Sequence, residues 1–214
     1  MADVEPGHDF GHIQRVEGNA IRIQHLEGGD LEVIRLAALL HDLVDYKLFD
    51  KQQSLAIINQ WFDELSVNES VARHVFEIIQ NLSFSSELDG AAPTSLEFAI
   101  VQDADRLEAL GAIGIARTFS YGGSRQRPFF LEEAFPIMPG STSDYQTAVS
   151  PTINHFFEKL LTLHLRMKTA TGRQLALERH RFLIVFMNQF IDEWTFVDDG
   201  AKLQWKSLID RHVL

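Results

Sequence analysis

The stretch LAALLHDLVDYK, Leu36 to Lys47, closes an apolar run with two adjacent polar side chains, His41 and Asp42. A charge carried into a core must be paired or bound to metal, because leaving it alone costs several kcal/mol or forces a pKa shift. The fold therefore has to bring further polar groups to this pair.

Around that stretch almost every long segment has a helical period. Phe10, Ile13, Val16 and Ala20 recur at three- and four-residue steps behind Asp9, a residue suited to an N-cap. Gly28-Gly29 ends this first helix, and Asp30 can cap the second, whose buried side is Leu31, Ile34, Ala38 and Leu39. A helix is expected over 54–65. The capping boxes Ser66-Val67-Asn68-Glu69 and Thr94-Ser95-Leu96-Glu97 open two more, the second running to about Thr118. Residues 121–145 form the longest irregular stretch, punctuated by glycine and proline, a length usually tied to function. Helices over 152–167 and 173–196 follow, with Phe182, Phe186 and Phe190 as a core stripe, and a short helix over 202–213. No alternating strand pattern competes, so the fold is expected to be all-α. The chain is expected to be one domain: a helical core over 1–120, the irregular loop 121–150 and C-terminal helices over 151–214.

Composition narrows the chemistry. There is no cysteine among the 214 residues, which excludes disulfides, thiolate catalysis and thiolate-held zinc and suits a cytoplasmic protein. The net charge of -11 argues against nucleic-acid polymers as partners. No apolar run is long enough for a membrane span, and the N-terminus has no signal-peptide pattern. An apolar face on the late helices is compatible with a homodimer.

Three places carry groups suited to a hard or borderline divalent ion: His12, the His41-Asp42 pair, and the cluster Gln102-Asp103-Ala104-Asp105-Arg106. Imidazole with carboxylate suits manganese, iron(II), zinc, nickel, cobalt or magnesium. Residues two apart on a helix point about 200° apart, so Asp103 and Asp105 cannot both face one ion. Asp105 shares a face with Phe98, Val101, Ala109 and Ala112 and is the preferred ligand. Asp103 is expected to support the site from behind or to form an ion pair.

GHDFGHIQRV, LAALLHDLVDYK and VQDADRLEALGAIGIARTF, with the later KTATGRQLALERHRFLIVFM, together resemble the HD superfamily of metal-dependent phosphohydrolases. Within it the similarity is to small bacterial hydrolases regarded as nucleotide pyrophosphohydrolases. The resemblance implies an HD-domain helical bundle with additional C-terminal helices, and His12, His41, Asp42 and Asp105 as ligands of one divalent metal, manganese favoured. His74 does not match the motif of a second metal site. It further implies that Asp45 orients or deprotonates the attacking water, with Asp50 as a second candidate. Lys47 and Arg106, with Arg125 or Arg127 from the glycine-rich stretch, would neutralise phosphate, and Lys47 counts with Asp45 and Asp50 among the candidate catalytic residues. The substrate would be a nucleoside triphosphate cut to monophosphate and pyrophosphate. A monophosphatase or phosphodiesterase on the same residues, or a nucleotide-sensing module with little turnover, are the alternatives.

Overall fold

The structure, a computed structural model, describes residues 9–44, 50–82, 94–136 and 150–213. It is all-α, with no strand among the described residues. In order the helices are α1 (Phe10–Glu27), α2 (Leu31–Leu40), a 3-10 segment His41–Val44, α3 (Lys51–Glu64), α4 (Glu69–Asn81), α5 (Leu96–Leu107), α6 (Gly111–Ser124), α7 (Asn154–Glu158), a second 3-10 segment Leu160–Arg166, α8 (Ala170–Glu193) and α9 (Asp199–Asp210). The chain gathers into two compact units. The first holds residues 1–106 and 168–172, the second 107–167 and 173–214.

In the first unit α1 packs on α2, and α2 on α4. Their buried stripes, Val16, Ala20 and Ile23 on α1, Ile34, Ala37 and Ala38 on α2, Val75 and Ile78 on α4, are fully shielded from water. Each such side chain contributes about 1.5–3 kcal/mol through burial, less for alanine. Asp9 caps α1 by accepting the His12 N–H at 2.8 Å, and Asp30 caps α2. Between them Gly28 and Gly29 take φ of 87° and 92°, a region in which a side chain is strained.

Both capping boxes shift. Asn68, not Ser66, caps α4, and Ser66 takes the left-handed φ of 53° that turns the chain out of α3. Ser95 rather than Thr94 accepts the Phe98 N–H, at 3.2 Å. Glu97 does not reach back to its own cap. It accepts the Asp30 N–H at 2.9 Å and so ties α5 to the start of α2.

The helix expected over 96–118 is two helices. Leu110 is extended (φ -116°, ψ 159°) and Gly111 has φ of 69°, so the chain turns sharply between α5 and α6. Ala109 and Ala112 lie beyond the end of α5 and do not continue the Asp105 face; Phe98 and Val101 carry it within the helix. A methyl group on Gly114 would land on the backbone carbonyl of Ala109. Gly114→Ala is expected to destabilise the protein by about 3 kcal/mol, since the clash is with main chain that cannot move aside. Urea unfolding measures it, and a loss below about 1 kcal/mol would contradict the tight packing at this break.

The second unit is organised by aromatic rings. Trp205 on α9 is fully buried, stacks on Phe135 at 5.0 Å and donates its indole N–H to the Glu132 carbonyl. Phe119, Phe130, Phe156, Phe186 and Phe190 extend the cluster. The expected stripe on α8 is displaced: Phe182 is 49% exposed, and Leu183, Met187 and Ile191 form the fully buried line. Phe186 and Phe190 flank that line as ring contacts. The helix expected over 152–167 is the short α7 followed by a 3-10 segment, separated at Lys159 (φ -142°). Residues 121–124, expected to be irregular, form the last turn of α6.

Candidate metal centre

Three separate elements deliver the four predicted ligands. The Asp9 cap fixes the first turn of α1 and with it His12, which is completely buried. α2 tightens into the 3-10 segment at His41, and both His41 and Asp42 are buried there. α5 brings Asp105, whose side chain stays 38% exposed. Asp42 spreads its carboxylate between the two imidazoles, Oδ1 3.1 Å from His41 Nε2 and Oδ2 3.5 Å from His12 Nε2. Asp105 Oδ1 lies 3.6 Å from His12 Nε2 and 3.8 Å from His41 Nε2.

These separations suit a shared ion. Ligand atoms about 2.1 Å from one centre sit about 3 Å apart at right angles. One atom each of His12, His41 and Asp42 lies within 4.8 Å of the others, so the trio could hold a divalent metal. The His41 Nδ1 is 2.7 Å from the Ala38 carbonyl, which only accepts, so Nδ1 carries the proton and Nε2 is the atom left to face an ion. Sequence reasoning missed this contact; its signal is a carbonyl one helical turn before the histidine.

Electrostatics prepare the same atom. Burial pulls the His41 pKa down. The Asp42 hydrogen bond and charge, then the Asp105 charge and the Ala38 carbonyl, outweigh it and raise the pKa to about 9. An entering ion must displace that proton. Affinity for manganese is expected to rise about tenfold per pH unit between about pH 6 and 8, with one proton released per ion. Calorimetry in two buffers of different ionisation enthalpy measures the release; no release would mean His41 is not a ligand. The same shift stabilises the metal-free fold below the unfolded value of 6.5 and loses that contribution as pH rises through about 9.

Asp103 points elsewhere. Fully buried, it accepts the Lys168 N–H at 2.9 Å, the Thr169 N–H at 2.8 Å and the Thr169 hydroxyl at 2.8 Å. Burial pushes its carboxyl up, while these donors and the Arg106 charge pull it down; burial prevails. Thr169 in turn accepts the Gly172 N–H and caps α8. A side chain on Gly172 would land on the Asp103 carboxylate. The sequence signal for this clamp is the threonine just ahead of α8.

Arg106 is buried, and its charge acts on Asp103. Asp50 caps α3 by accepting the Gln53 N–H at 2.8 Å. Arg125 and Arg127 belong to the second unit, where both lie over the Tyr121 ring. Asp45 and Lys47 lie outside the described residues. His74 meets the Ser95 hydroxyl at 3.0 Å, apart from the four ligands.

The HD domain family model matches residues 9–110, which span all four of these ligands. The protein YpgQ of Bacillus subtilis is 38% identical over 193 residues, covering 88% of this chain and 85% of its own. The chain belongs to the HD-domain family. Among solved members, an HD-superfamily hydrolase from Bacillus thuringiensis is 40% identical, with a TM-score of 0.70 over 87% of this chain and 86% of its own. YpgQ in complex with ADP is 33% identical over the aligned structure, with a TM-score of 0.73 and coverage of 91% and 94%. This HD chain has no described helix long and apolar enough to cross a membrane.

Proposed function

We propose that this protein hydrolyses nucleoside triphosphates to monophosphate and pyrophosphate, using one divalent ion, manganese first among the candidates, held by His12, His41, Asp42 and Asp105. The observation that carries the proposal is the convergence of two imidazole Nε2 atoms and two carboxylates, three of the four side chains buried and the fourth at a solvent edge. The ADP complex of YpgQ supports a nucleotide as the ligand class.

When bound, the ion supplies Lewis acidity toward a water and a phosphoryl oxygen. The chain does the rest. The Ala38 carbonyl fixes the His41 tautomer, and Asp42 reaches the Nε2 atoms of both imidazoles with its two oxygens. Asp105, at the exposed edge, leaves the approach side open to substrate. Asp45, three residues beyond Asp42, is assigned to orient the water, because Asp50 already serves as a helix cap. Lys47, two residues beyond Asp45 in sequence, is assigned to the phosphate, with Arg106 and Arg125 or Arg127 as further cations.

The test is a product assay with manganese, cobalt, nickel and magnesium. Pyrophosphate released from triphosphates is the expected result. Orthophosphate released from monophosphates would replace the proposal with a monophosphatase, and no hydrolysis with any of the four ions would replace it with a binding role.

A further inference from the structure

Three histidines outside the candidate metal centre meet in the second unit. His164 stands on the 3-10 segment Leu160–Arg166, His180 on α8, and His212 in the turn that follows α9. All three belong to the compact unit of residues 107–167 and 173–214. The His164 and His180 side chains are buried, 5% and 0% exposed, with ring centroids 4.0 Å apart and planes tilted by 43°. The His212 ring lies 6.1 Å from that of Phe157, which is buried on α7.

Hydrogen bonding places the proton on one ring. His180 Nε2 is 2.8 Å from the His212 carbonyl. A carbonyl only accepts, so Nε2 carries the proton, and Nδ1 of the neutral ring is a bare acceptor. That Nδ1 is buried with no protein group hydrogen-bonded to it, and so is the Nδ1 of His164. Two such nitrogens on stacked rings are uncommon in a core.

The surroundings have one sign. Burial and then the His180 charge hold His164 below its ordinary range; the Leu161 carbonyl opposes this, and the His212 charge adds to it. Burial lowers His180 as well, opposed by the bond to the His212 carbonyl and aided by the Arg181 charge. Burial, His180 and Arg211 lower His212. The charged groups acting on the three rings are therefore the rings themselves, Arg181 on α8 and Arg211 after α9. All are cationic when charged, and no carboxylate is among them. A proton entering this junction meets neither an acceptor nor a counter-charge.

The three segments differ in how firmly they are held. α8 has 24 residues of α-helix. The 3-10 segment has seven, with no side-chain cap and the poorer bonds of its geometry. The turn after α9 rests on the His212 N–H to Ile209 O and Val213 N–H to Asp210 O bonds, at 2.9 and 3.3 Å. Both short segments can give way while α8 stays folded.

We propose that His164, His180 and His212 form an acid-opened latch, in which proton uptake loosens the 3-10 segment and the end of α9 from α8. Opening returns the rings to water, where an imidazole titrates near its ordinary 6.5. The closed form binds fewer protons than the open one, so the latch is shut above that value and loosens as pH falls below it.

Amide hydrogen exchange of the whole protein, followed by NMR from about pH 7.5 to about pH 5 and corrected for intrinsic exchange, tests this. The opening constants at Thr162 and Ile209 are expected to rise about tenfold per pH unit below 6.5, one proton per opening. Those at Leu183 on α8 and Ala20 on α1 are expected to hold. Constants at Thr162 and Ile209 that stay level or fall would mean that the rings remain neutral or share a proton between their Nδ1 atoms, and would overturn the latch. An equal rise at Leu183 would be ordinary acid unfolding and would overturn it too. The double variant His164→Phe with His180→Gln removes both charges and keeps, in the glutamine amide, a donor for the His212 carbonyl. Its opening constants are expected to change less than about twofold per pH unit, and a change of about tenfold would take the effect away from these rings. Should the double variant fail to fold, the wild-type profile alone decides.

Discussion

Asp105→Ala is expected to lower metal-supported hydrolysis about a thousandfold, equivalent to about 4 kcal/mol of transition-state stabilisation, and to weaken manganese binding in parallel. Asp103→Ala, two residues away, is expected to keep the ion. The contrast follows from helix geometry and from contacts. Asp105 Oδ1 faces both His12 and His41, whereas Asp103 is occupied by the main chain at Lys168 and Thr169. Calorimetric titration with manganese beside a rate assay, both at 20 °C, separates the two. Loss of the ion in Asp103→Ala with retention in Asp105→Ala would reverse the ligand assignment.

The cost of Asp103→Ala lies in stability instead. Three donors, the N–H groups of Lys168 and Thr169 and the Thr169 hydroxyl, lose their acceptor. A buried donor left unsatisfied costs about 1–3 kcal/mol, and partial relaxation brings the sum to roughly 4 kcal/mol. For a chain of this size that is a fall in Tm of about 10 °C. Asp103→Asn keeps one oxygen facing the same donors and gives up the charge that burial opposes, so its fall is expected to be about half as large. Calorimetric melting of the metal-free proteins measures both. A Tm within about 2 °C of wild type for Asp103→Ala would show that the clamp contributes little.

The candidate ligands were legible as a cluster because their signals are local. His12, His41 with Asp42, and Asp105 each sit on a helix whose buried stripe is readable from spacing, and the 100° step separates Asp105 from Asp103 without any tertiary knowledge. What sequence spacing missed depends on distant partners. The turn at Leu110 and Gly111 follows from a left-handed glycine and from packing around Gly114, and nothing in the apolar period of residues 96–118 marks it. The clamp on Asp103 joins residues 65 and 66 positions apart. Phe182 fits the α8 period as well as Leu183 does, and only the ring cluster of the second unit determines which line is buried. Glu97, the expected reciprocal partner of its own cap, serves α2 because the Asp30 N–H lies within its reach.

The clamp also sets an order of events during synthesis. Residues 168–172 belong to the unit that carries the candidate ligands, yet the ribosome makes residues 107–167 of the other unit first. Between Asp103 and the Lys168 N–H that answers it, 65 residues must be added, about 3 to 13 s at 5–20 residues per second. Throughout that interval a carboxylate destined for complete burial has no main-chain donors from its own unit to receive it. The first unit of the nascent chain therefore lacks the donors that hold Asp103 when Asp105, the last of the four candidate ligands, emerges. The clamp behind α5 is complete only once Lys168 and Thr169, far downstream, have been added.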